Sequence, residues 1–86
     1  MTRVWKFGPF GFNWKTVEMD GSAVINHFGI QHGEFFFWAD TDPDEILVRR
    51  TFAVFATGQD VPEDCWYGGT VIAPDMTVWH LFEKVG

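Results

Sequence analysis

The chain holds one cysteine, Cys65, and one serine, Ser22, in 86 residues. A lone cysteine excludes an intrachain disulfide framework and points to a reducing compartment, so the cytoplasm is the expected location. No run approaches the roughly eighteen apolar residues of a membrane-spanning helix. The opening MTRVWKFGPFGFNWK is broken by Gly8, Pro9 and Gly11, which is unlike the continuous apolar segment of a secretory signal. No membrane association is expected. Basic side chains are scarce, six against twelve acidic ones, and the formal charge of −6 opposes attraction to nucleic acid or anionic lipid. A charged partner would therefore be basic. Helical periodicity is missing too: no long segment keeps an i, i+3, i+4, i+7 apolar stripe between a cap and a stop.

Aromatic surface is plentiful instead, with ten Phe and five Trp. Burying one such side chain contributes about 1.5–3 kcal/mol, so a single small core stands without covalent staples. One domain is expected over 1–86, since so short a chain has little room for a second core. Strand signals recur along it. Arg3 to Phe7 puts Trp5 and Phe7 on one face before Gly8-Pro9, which is expected to end the strand. Lys15 to Met19 alternates and leads into the turn pair Asp20-Gly21. Ala23 to Gln31 and Glu34 to Asp40 flank His32-Gly33 as a hairpin. Leu47 to Ala56 carries Val48, Arg50, Phe52 and Val54 on one face and Arg49, Thr51, Ala53 and Phe55 on the other. Trp66 to Ala73 and Met76 to Glu83 join through Ala73-Pro74-Asp75. The predicted fold is all-β: a small antiparallel sandwich, or a barrel-like meander, of six to seven strands.

Glu34 to Asp40, EFFFWAD, breaks the polar alternation of a half-exposed strand. Phe35, Phe37 and Ala39 share one face and Phe36 and Trp38 the other, and both faces are apolar. One of them fills the interior. The other needs a cover, which three arrangements supply: self-association through Phe35, Phe36, Phe37 and Trp38, the chain's own Phe10, Phe12 and Trp14, or a foreign protein or flat ligand.

Chemistry-bearing groups are sparse. Asp40-x-Asp42-x-Asp44 matches the opening of a calcium loop, but Glu45 stands where glycine is needed, Pro43 interrupts, and Thr51 replaces the closing acid. It reads better as a solvated acidic turn, Asp40, Asp42, Asp44 and Glu45, able to dock on a basic surface. His27, His32, His80 and Cys65 lack metal-ligand spacing, and neither Cys65 nor Ser22 has the surroundings of a nucleophile. No cofactor, no metal and no enzymatic activity are expected. Arg49 and Arg50 are consecutive, so one of them enters an apolar layer. With Trp38, Tyr67 and Trp79 nearby it would hold a planar anion such as a nucleotide; otherwise its stem packs on a ring and its head pairs with Asp40 or Asp42.

Trp38-Ala39, Arg50-x-Phe52-x-Val54-Phe55-x-Thr57-Gly58, Tyr67-x-Gly69-Thr70-Val71 and Val78-Trp79-His80-Leu81-Phe82-Glu83, with Trp5-Lys6-Phe7 and Gln31, resemble a family of small uncharacterised proteins found largely in bacteriophages and their bacterial hosts. The resemblance spans nearly the whole chain and brings no catalytic residues with it. It implies a small accessory phage product acting in the host cytoplasm, of a kind that often disables a host factor such as an immune nuclease. The expected function is thus a non-enzymatic protein that self-associates and binds a host protein. A sponge for a nucleotide-type signal and a minor virion or assembly part are the alternatives.

Overall fold

His32 and Gly33 both take positive φ, 52° and 75°, which is the requirement of a two-residue type I′ turn and matches the twist of the strands it joins. This hairpin links β3 (Val24–Gln31) to β4 (Glu34–Thr41). The computed structural model describes residues 1–85, and among them the other strands are β1 (Arg3–Phe10), β2 (Lys15–Asp20), β5 (Leu47–Ala56), β6 (Cys65–Ile72) and β7 (Val78–Lys84). They form two antiparallel sheets, ordered β1-β4-β3 and β2-β5-β7-β6. The two pack face to face as a small β-sandwich rather than a closed barrel.

β1 does not stop at Gly8-Pro9, where its end was expected, but runs on to Phe10. It is an edge strand, bonded only to β4, so a proline there removes little from the ladder. The pairing with β4 shifts register between Phe7 and Phe10 at this point. The segment after β1 then crosses to the other sheet, where the Gly11 carbonyl accepts from the Val54 N–H at 2.9 Å.

The interior answers which face of EFFFWAD is covered. Phe37 and Ala39 are fully buried. Phe37 sits among Phe7, Phe10 and Phe52, at centroid distances of 5.2, 5.0 and 4.7 Å. Phe35 packs against Phe28 and Trp79 at the margin of the same core. With Phe37 enclosed by its own chain, it has no surface to give an interface, and of the rings expected to self-associate Phe35, Phe36 and Trp38 remain half-buried.

Phe36 and Trp38 lie on the outer face, and the chain itself half-covers them. A Cβ on Gly8 would stand 2.9 Å from Phe36 Cδ1, and one on Gly29 would stand 3.4 Å from Trp38 Cζ3 and 2.7 Å from His27 Nε2. The rings therefore lie down over bare backbone. Lys6 Nζ caps Phe36 at 4.1 Å and reaches Gln31 Oε1 at 2.7 Å, while His27 leans on Trp38. The N-terminal rings cover other places: Phe10 enters the core, Phe12 stacks on Trp79, and Trp14 meets Phe55 on the outer face of the four-stranded sheet.

Candidate functional site

One side of the sandwich is closed. β3 faces β6 so closely that a Cβ on Gly69 would stand 2.8 Å from Phe28 Cβ, which is why a glycine lies at this bulge in β6. The opposite side differs. β1 lies across from β5, so β2, the next strand of the larger sheet, extends beyond the smaller one. A cleft of about 290 Å³ opens there between the edges of β1 and β2.

Trp5 and Phe7 enter this cleft from β1, Met19 from β2 and Leu47 from the start of β5. Trp5 and Phe7 share the inward face, as their alternation implies, yet Trp5 remains 54% exposed because no strand continues the sheet above it. Leu47 is 62% exposed, and its neighbours Ile46 and Val48 are exposed as well. Around this apolar floor stand Glu18, Asp20 and Asp42. Two exposed apolar side chains, Trp5 and Leu47, thus lie beside the acidic turn, over a buried Met19.

The turn is built rather than loose. Asp20 Oδ2 accepts from the Asp42 N–H at 2.8 Å, and its Oδ1 accepts from both the N–H and the hydroxyl of Ser22 at 2.7 Å. These bonds, the one from Asp42 foremost, hold the Asp20 carboxyl below the usual carboxylate range. Asp42 Oδ1 accepts in turn from the Asp44 N–H at 2.9 Å. One carboxylate therefore ties the end of β2 to the loop after β4 and fixes the wall of the cleft.

Of the residues expected to hold a partner or ligand, Asp42 lines the cleft, and Asp44 and Glu45 are exposed on the adjoining turn. Asp40 lies instead on the outer face of the smaller sheet, where Asn26 Nδ2 donates to it at 2.8 Å.

The arginine and aromatic group does not assemble. Trp38 is outside the smaller sheet, Tyr67 is outside the larger one beside Phe82, and Trp79 faces the interior between Phe12 and Phe35. Arg50 points inward and pairs with Glu83 rather than Asp40 or Asp42, through Nε and Nη2 at 2.7 Å each. Its Nη1 donates to the Asp20 and Ala23 carbonyls at 3.3 and 3.0 Å. A second cleft does bring Arg49, Arg50 and Lys84 beside Trp66. There the Arg50 fork is already taken, and the Glu83 carboxylate opposes an anion.

Trp5, Glu18, Met19 and Leu47 are the site residues that reasoning from sequence missed. The alternation of β1 marked Trp5 as inward, but only the assignment of β1 and β2 to different sheets puts it at an open edge. Among the described residues no group of three or more His, Cys, Asp or Glu side chains is placed to hold a metal ion, and no helix is long and apolar enough to cross a membrane. Burial, followed by Asp64, pushes the Cys65 thiol up from its ordinary value, which disfavours the thiolate form.

A family model matches residues 1–86, the whole chain, and its description is a domain of unknown function, DUF7352. The chain belongs to that family. No curated protein and no solved structure matches it. Membership of DUF7352 names neither a reaction nor a partner, so function has to be read from the geometry.

Proposed function

We propose that this DUF7352 domain is a non-enzymatic binding module that engages a basic host protein through the cleft between β1 and β2. The observation that carries the reading is the coincidence of uncovered apolar side chains, Trp5 and Leu47, with an acidic rim of Glu18 and Asp42, which the buried Asp20 carboxylate holds in place. Apolar contact supplies affinity at such a surface, and the rim selects charge and speeds encounter. Glu18 and Asp42 form no ion pair of their own with any described residue. Among the described residues a single ion pair forms, Arg50 with Glu83, and the other carboxylates meet no cation within bonding distance.

The resemblance to phage accessory products supports placing the partner in a bacterial host. Defence nucleases fit the charge, since proteins that handle nucleic acid present basic grooves. The nucleotide-sponge alternative loses its support with the dispersal of Trp38, Tyr67 and Trp79 away from Arg50.

Panning a random peptide library against the protein tests the reading. The expected result is enrichment of sequences mixing Lys or Arg with apolar residues, lost when Trp5→Ala is combined with Glu18→Lys and Asp42→Lys. Enrichment that survives those three changes, or no enrichment at all, contradicts it.

A further inference from the structure

Resting on that reading of the cleft, we infer that the partner binds as an added β-strand on β2, through an extended segment in which apolar and basic residues alternate. Four strands end the two sheets: β1 and β3 in one, β2 and β6 in the other. Three of these edges are blunted by irregularities that spoil them as templates. The register shifts between Phe7 and Phe10 in β1, between Ile25 and His27 in β3, and between Tyr67 and Gly69 in β6. β2 alone pairs from end to end without a shift, from Lys15 opposite Phe52 to Asp20 opposite Leu47. A chain that spoils three edges and leaves one regular has kept that one usable.

The direction of the main-chain groups follows from the ladder. The Gly21 N–H donates to the Ile46 carbonyl, so Met19, Val17 and Lys15, at alternate positions, spend their groups on β5. Thr16 and Glu18 are left with N–H and C=O turned outward. Glu18 of that free row lines the cleft beside Met19, with Trp5 and Phe7 opposite, and Thr16 continues the row outside it. A strand laid there projects every second side chain toward Trp5, Phe7 and Met19, and the intervening ones beside Glu18. Apolar residues suit the first set and Lys or Arg the second. Lys15, whose Nζ donates to the Pro9 carbonyl at 3.0 Å, is not among the residues that line the cleft. β1, the other wall, is unsuited to the same role where Gly8-Pro9 interrupts it.

Fluorescence anisotropy with a fluorescein-labelled octapeptide of alternating valine and lysine provides the test. Saturable binding is expected. Methylation of the peptide's amide nitrogens on one phase, all valines or all lysines, is expected to weaken it at least tenfold, because one row of amides faces β2. Thr16→Pro removes an outward N–H without altering charge or the side chains in the cleft, and is expected to weaken binding of the unmethylated peptide to a similar degree. Should that variant fold poorly, the methylated peptides give the same discrimination on the unaltered protein. Unchanged affinity for both methylated peptides overturns strand addition, as does the absence of saturable binding. If affinity is also unchanged by Glu18→Lys with Asp42→Lys, the cleft reading falls with it; if that pair still weakens binding, only the strand geometry is wrong.

Discussion

Arg50 and Glu83 show what a charge costs inside so small a core. Their side chains are only 14% and 9% exposed, and the bidentate contact is matched by two carbonyls on the third nitrogen. Removing one partner leaves the other buried and unpaired, whereas replacing both with apolar groups does not. Glu83→Ala is expected to cost about 3 kcal/mol or more in urea unfolding, and Arg50→Met with Glu83→Leu clearly less. Equal losses would mean that the pair is solvated. Asp20 offers a pH-dependent counterpart. Its folded value lies below the ordinary 3.8, so it adds stability above that value and loses it as pH falls through the lower one. Wild type should therefore lose stability on acidification below about pH 4 more steeply than Asp20→Asn, measured as melting temperature against pH.

At the scale of strands and sheets, the closed side depends on Gly69. An alanine there meets the Phe28 Cβ at a distance no side chain tolerates, and Phe28 is itself buried, so it has nowhere to move. Gly69→Ala is expected to destabilise by about 1–3 kcal/mol through forced separation of β3 and β6. Unfolding midpoints in urea at constant slope would show it. The elements were legible because their signals are local. Turn pairs such as His32-Gly33 and Asp20-Gly21, and the inward row Val48, Arg50, Phe52 and Val54, can be read within a few residues. Two features were not. The continuation of β1 past Pro9 depends on its being an edge, and the Arg50 partner depends on β5 lying beside β7, which brings Glu83 across 33 residues of chain. The candidate site was legible only in its acidic half. Asp42, Asp44 and Glu45 declare themselves as a turn, but Trp5 and Leu47 become a surface only when one sheet is a strand wider than the other.

For the whole molecule, the doubled apolar strand raised the question of where surplus ring surface goes. It is partly absorbed at home. Phe36 and Trp38 lie over Gly8 and Gly29 under Lys6 and His27, while Trp5 and Leu47 stay open at the cleft between β1 and β2. Glu18 and Asp42 stand there as well, and among the described residues neither forms an ion pair. The binding face we propose is therefore the open side of the sandwich rather than the outer face of its smaller sheet. The five tryptophans provide a direct readout of this, since each contributes one indole N–H resonance and Trp5, Trp14, Trp38, Trp66 and Trp79 lie in different places. Titrating the nitrogen-15-labelled protein with the alternating valine and lysine peptide should shift the Trp5 indole resonance and leave that of Trp38 in place. A shift at Trp38 with Trp5 unmoved would contradict the account.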